Sequence, residues 1–187
     1  MNEKIIFYRE WFPLDKKEFR IMAMLADKGS FKGNLSNMCR YFSLSPQQKN
    51  RNNLRTSIKY LNDGKWITAE KCGNTYCLKL IPKAEEIRIP RKWLTELRKH
   101  NYSSESVSWE AILKVLLWIH NNKNDIITNT DISNDLNISI STICAAKKVL
   151  KNEYEAIRVR KVSEKINEDF FMTIGQELHA CAWWNID

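Results

Sequence analysis

One pattern of apolar and polar residues runs through this chain twice, and that repeat constrains the fold more than any single motif. "IIFYREWF" (Ile5–Phe12) is echoed by "IRIPRKWL" (Ile87–Leu94), which matches Arg9 with Arg91 and Trp11 with Trp93. Each stretch reads as a strand and is followed by an apolar helix. The first helix is expected to open at Asp15, with Glu18 completing a capping box and Leu14 and Phe19 forming a staple. It turns Phe19, Met22, Ala23 and Leu25/Ala26 inward. The second begins near Ser108 and turns Trp109, Ile112, Leu113, Leu116 and Ile119 inward. A short helix comes next in both copies, where "MCRYFSLS" (Met38–Ser45) aligns with "ISNDLNIS" (Ile132–Ser139). A third helix sets Leu54, Ser57 and Leu61 against Ile143, Ala146 and Leu150. Strands then close each copy. Trp66–Ala69 and Tyr76–Leu80 flank a Gly73-Asn74 turn, a strong hairpin signal. Ile157–Arg160 and Phe170–Ile174 flank the polar segment Glu164–Asp169.

At 187 residues the chain has room for one domain of ordinary size or two small ones. The repeat places them at residues 1–83 and 84–187, the second with an added strand and a helix over Arg91–His100. The expected class is α+β, mainly helical, as two tandem modules. Each has a three-helix core and a β-hairpin, enough to close one small core.

Charge separates the two copies. Residues 1–83 carry 16 Lys and Arg against 7 Asp and Glu, whereas residues 84–187 carry 14 against 15. Between Asp27 and Asp63 stand seven cations (Lys28, Lys32, Arg40, Lys49, Arg51, Arg55 and Lys59) and no acid. A one-sided field of this kind attracts polyanions. Its densest part is "SPQQKNRNNLRTSIKYL" (Ser45–Leu61), which mixes cations with Gln47, Gln48, Asn50, Asn52 and Asn53. With Leu54, Ile58 and Leu61 facing a core, helical spacing sends Asn52, Arg55, Thr56 and Lys59 outward. Gln47, Lys49 and Arg51 fall at the leading end.

The copies differ in one place. From the aligned serines, Ser45 and Ser139, to the aligned Leu54 and Ile143 is nine positions in the first copy and four in the second. Five extra residues thus fall within "PQQKNRNN". Ser45-Pro46-x-Gln48 reads as N-cap, N1 proline and N3 glutamine, which favours a helix from Pro46. The alternative is an enlarged turn with a later start capped by an asparagine.

Helix, short helix, tight Ser-rich turn, polar third helix and hairpin together resemble the winged helix-turn-helix family. The residues that carry the resemblance are "NLSNMCRYFSLSPQQKNRNNLRTSIKYLNDGKWI" and "TNTDISNDLNISISTICAAKKVLKNEYEAI". Two such modules in tandem look like the arrangement in plasmid and phage replication initiators and in some bacterial regulators. The resemblance implies that the third helix enters the DNA major groove while the hairpin, or wing, touches backbone or minor groove. On that basis Gln47, Lys49, Arg51, Asn52, Arg55, Thr56 and Lys59 are the expected DNA-binding residues of the first module. Gln, Asn and Arg suit base edges and Lys suits phosphates. Lys71 and Asn74 join them from the wing tip, with Asn74 alternatively serving only the positive φ of the turn. In the second module Ser141, Thr142 and Lys148 lie on the third helix, and Arg160 and Lys161 on a basic wing.

Other functions find little support. There is no phosphate-binding glycine loop, no HExxH and no GxSxG, so an enzyme is not expected. The five scattered cysteines contain no CxxC pair, and the expectation is reduced thiols, no metal and no cofactor. The expected partner is double-stranded DNA in replication initiation, plasmid or phage maintenance, or transcription control. The rival is a winged-helix adaptor that binds protein partners in a replication or segregation assembly; a homodimer or a replication or regulatory protein partner is the further expectation. "ELHACAWWNID" reads either as core against the second wing or as a dimer contact. No apolar run spans a bilayer and no signal peptide is visible, so a cytoplasmic protein is expected.

Overall fold

The computed structural model describes residues 3–99, 107–122, 126–161 and 179–183, with 126–127, 158–161 and 179–183 given as strand backbone. The chain is α+β and divides into two compact units, Ile5–Glu86 and Met1–Lys4 with Ile87–Asp187. The described residues form seven α-helices and two three-stranded antiparallel sheets, one in each unit.

Strand β1 (Lys4–Tyr8) and a 3-10 turn (Arg9–Trp11) lead into helix α1 (Lys16–Lys28). Five consecutive residues of α1, Ile21 to Leu25, are buried, so Ile21 and Met24 join the expected apolar stripe while Ala26 lies half-buried. A helix buried around most of its girth cannot be resolved by a one-face pattern. Asp15 is its N-cap, as expected, but makes no side-chain cap bond, so the capping box does not form. Glu18 reaches across instead, and its Oε1 accepts a hydrogen bond from Ser57 Oγ at 2.5 Å. The cause lies on the other helix. Ser57 is only 1% exposed, and a buried hydroxyl without a partner costs about 1–3 kcal/mol.

After α1, Gly29 adopts φ 72° and turns the chain into β2 (Ser30–Gly33), a strand the repeat pattern did not suggest. Helix α2 (Leu35–Tyr41) is capped by Asn34, whose Oδ1 accepts from the Asn37 N–H at 2.8 Å. Helix α3 (Gln48–Asp63) packs Leu54, Ser57, Ile58 and Leu61 inward. Strands β3 (Ile67–Cys72) and β4 (Thr75–Leu80) form the hairpin, and β2 adds to its β4 edge, giving the order β2-β4-β3. At the tip Cys72 pairs with Thr75 around the two-residue turn. Gly73 carries the positive φ, 60°, and Asn74 does not, which is the pattern of a type II′ turn. The turn therefore does not explain Asn74.

Between α3 and β3 the left-handed residue is Lys65 (φ 55°), not Gly64 (φ −77°). Gly64 is required for another reason. A Cβ there would lie 2.8 Å from Cδ1 and Nε1 of Trp66, a ring that is itself covered by Lys83 Nζ at 4.5 Å from its centroid. Gly64→Ala is expected to destabilise the N-terminal unit by about 1–3 kcal/mol through overpacking, measured as a lowered urea midpoint with an unchanged slope.

The second unit repeats this order. Strand β5 (Glu86–Pro90) and helix α4 (Arg91–Lys99) precede α5 (Trp109–Asn121), β6 (Ile126–Ile127), α6 (Asn129–Leu136), α7 (Ile140–Asn152), β7 (Ile157–Lys161) and β8 (His179–Trp183). Its sheet order, β6-β8-β7, matches that of the first unit strand for strand. Trp11 and Trp93, Met38 and Ile132, Leu54 and Ile143, Ser57 and Ala146, and Leu61 and Leu150 are all buried. Even the strained positions correspond. Ser43 (φ 54°) matches Asn137 (φ 52°) after the short helix, and Lys65 (φ 55°) matches Glu155 (φ 49°) two residues before the first hairpin strand. The hairpin partner of β7 is His179–Trp183, with Val159 opposite Cys181. Phe170–Ile174 and the Glu164–Asp169 turn lie outside the described residues. "HACAW" is thus a strand of the hairpin itself.

Candidate nucleic-acid interface

Helix α3 starts at Gln48, with Gln47 as N-cap, two residues later than the expected Pro46 start. Ser45 does not cap it. Its carbonyl and hydroxyl oxygens accept from Asn50 Nδ2 at 2.9 and 3.3 Å, tying the connector to the first helical turn from outside. Of the five residues extra to this copy, two lengthen the connector and three lengthen the helix. Gln48 plays no capping role either; it is the first rung of a side-chain ladder.

That ladder occupies the outer face at positions i, i+3, i+4 and i+7. Arg51 Nη2 donates to Gln48 Oε1 at 2.9 Å, Gln48 Nε2 to Asn52 Oδ1 at 3.0 Å, and Arg55 Nη1 to the same Asn52 oxygen at 2.7 Å. Two guanidiniums are thereby held side by side by neutral amides, with no carboxylate involved. Arg51 is half-buried, and its Nε is out of solvent and without a hydrogen-bond partner. Beneath it lies the buried Cys39 thiol, whose pKa is pushed up by burial and pulled back in part by the Arg51 charge.

The hairpin tip meets this face. A cleft of about 250 Å³ is lined by Gln48, Arg51 and Arg55 of α3, by Lys71, Asn74 and Tyr76 of the hairpin, and by the start of α2 at Asn34–Ser36. Lys71 Nζ sits 5.8 Å from the Tyr76 ring centroid. Among the described residues, none of Lys32, Arg40, Lys49, Arg51, Arg55, Lys59 and Lys71 has a carboxylate within ion-pair distance. Lys28 alone of the acid-free stretch has one, Asp27 at 3.9 Å.

Of the sequence-derived residues, Arg51, Arg55, Lys71 and Asn74 converge on the cleft. Asn52 and Lys59 continue along the same outer face of α3, while Gln47, Lys49 and Thr56 are exposed on its flank. Gln48, Asn34, Ser36 and Tyr76 were not among those residues. The first had a signal in its spacing to Asn52 and Arg55; the others come from elements that only the tertiary fold brings near. In the second unit Ser141 and Lys148 are exposed on α7, and Thr142 is half-buried with its N–H donating to the cap Ser139 Oγ at 3.3 Å. Arg160 and Lys161 lie on β7, and their side chains fall outside the described residues.

No group of three or more His, Cys, Asp or Glu side chains among the described residues is placed to hold a metal ion, and no described helix is long and apolar enough to cross a membrane. No protein-family model matches the chain, and no curated protein matches it in sequence.

Proposed function

We propose that the chain is a double-stranded DNA-binding protein built from two winged-helix units, in which α3 of the N-terminal unit enters the major groove and the β3–β4 hairpin follows the adjacent backbone. The observation that carries this reading is the uncompensated cationic face of α3 meeting the hairpin tip across one cleft. Cations left without carboxylates repel one another, and that arrangement is favourable when a polyanion neutralises them. The amide ladder holds Arg51 and Arg55 in fixed directions, so less side-chain entropy is lost on binding. Gln48 and Asn52 place paired donor and acceptor atoms on the same face, the groups that read adenine. The element order helix, strand, helix, helix, strand, strand, with sheet order β2-β4-β3, supports the winged-helix assignment. A role in replication initiation or in regulation of a mobile genetic element belongs to the same reading.

The test is fluorescence anisotropy on a labelled 30-bp mixed-sequence duplex over a range of KCl concentrations. With Lys49, Arg51, Arg55, Lys59 and Lys71 each neutralising a phosphate, this face alone contributes about −4 to −5 to the slope of log K against log[salt], so the full chain should show a slope at least that steep. A flat dependence, or no binding at low salt, would overturn the proposal and favour the protein-binding adaptor.

A further inference from the structure

The repeat aligns α3 and α7 residue by residue, and the comparison shows where the two helices part. With Leu54 on Ile143 and Leu61 on Leu150, Lys59 of α3 corresponds to Lys148 of α7. Both are exposed at the trailing half of the helix, and Lys151 adds a second exposed cation there. At the leading half the chemistry is exchanged. Arg51 corresponds to Ile140 and Arg55 to Cys144, so both guanidiniums of α3 are replaced by apolar groups one turn apart.

Ile140 is 46% exposed, and with Tyr60 it makes up the exposed large hydrophobic residues among those described. It is the first residue of α7, held at the leading tip by the Ser139 cap. Around it the polar groups are turned to local work. Ser139 Oγ lies 3.0 Å from Ser141 Oγ and 2.8 Å from Thr142 Oγ1, and Cys144 Sγ accepts from Asn129 Nδ2 at 3.4 Å. The leading face of α7 therefore presents a branched aliphatic group and a thiol, with its hydroxyls engaged in capping. One isolated isoleucine is far smaller than the roughly 800 Å² per partner that a stable protein interface needs. It is the scale of a single base contact.

Resting on the DNA-binding reading above, we infer that the second unit reads thymine C5-methyl groups in the major groove through Ile140 and Cys144, with Lys148 and Lys151 on the flanking phosphates. Base reading is then shared between the units. Helix α3 recognises hydrogen-bonding edges, and α7 recognises the one apolar group the major groove offers.

The experiment uses the full chain and competition by alternating copolymers of equal charge, poly(dA-dT) against poly(dA-dU), and poly(dG-5-methyl-dC) against poly(dG-dC). Each pair differs only in the C5 methyl. The methylated member of each pair should compete about fourfold better per methyl contacted, the value of burying one carbon group. Ile140→Ala, a change at an exposed position that leaves folding intact by circular dichroism, should weaken that preference, and I140A/C144S should abolish it, both keeping the salt slope. Binding without any methyl preference overturns this inference and leaves the DNA-binding reading standing. Preference that survives in the I140A/C144S variant overturns the assignment to α7. Concentration-dependent dimerisation by sedimentation that Ile140→Ala removes, with no methyl preference, overturns it in favour of self-association. Failure to bind any copolymer removes the reading on which it rests.

Discussion

Replacing Arg51 and Arg55 together by alanine is expected to lower affinity for a mixed-sequence duplex by roughly a hundredfold or more at 100 mM KCl, since each charged contact contributes about 1–3 kcal/mol. The salt slope should fall by about two units at the same time. Both effects follow from the ladder, because the two guanidiniums are held by amides and face the cleft without a carboxylate to neutralise them. Stability should barely move. Arg55 is exposed, and Arg51 has a desolvated Nε that makes no hydrogen bond, so its removal relieves a cost as well as losing contacts. Anisotropy titrations and a urea melt on the same preparation separate the two quantities. Unchanged affinity with an unchanged melt would place the binding surface elsewhere.

The second large effect is on folding. Leu61→Ala should cost about 2–5 kcal/mol, the range for removing a fully buried leucine from a packed core. Leu61 is 0% exposed on the inner face of α3, and its carbonyl accepts the Trp66 N–H at 2.9 Å where the chain leaves the helix for β3. For a unit of this size each kcal/mol shifts Tm by about 4–8 °C, so a drop of at least about 8 °C is expected. Calorimetry of the full chain checks it. A shift of only a degree or two would mean that α3 does not share the core with α1.

The repeat was legible because core positions obey periodicity. Leu54/Ile143, Ser57/Ala146 and Leu61/Leu150 were matched on spacing alone, and all six are buried. What spacing could not reveal depends on partners distant in sequence. The four-residue β2 is too short for its alternation to signal a strand in sequence, and it pairs along the β4 edge. The strand that pairs with β7 is "HACAW", which the sequence offered only as core against the second wing or as a dimer contact. Glu18 had the spacing of a capping residue and is drawn away by a buried hydroxyl on another helix. For the candidate interface the sequence indicated cation density and the outer face of α3. The amide ladder was hidden because i, i+3 and i+4 bonding between Gln, Asn and Arg side chains needs rotamers as well as spacing.

The start of α3 has a consequence for how this chain reaches its native state. Arg51 and Arg55 are like charges one turn apart, as are Arg55 and Lys59, and such pairs weaken a helix by a few tenths of a kcal/mol each. Asparagines at 50, 52 and 53 add modest helix propensity, and the N-cap Gln47 makes no side-chain cap bond. Against these terms stand only the side-chain bonds of the ladder, so the first two turns of α3 are locally marginal and lean on Leu54, Ile58 and Leu61, which are buried in the core behind them. This is local frustration in the sense of a folding landscape, concentrated at the surface proposed to meet DNA. The last turns of the helix form the fold, and the first turns are carried by it, kept ready at the expense of their own preference.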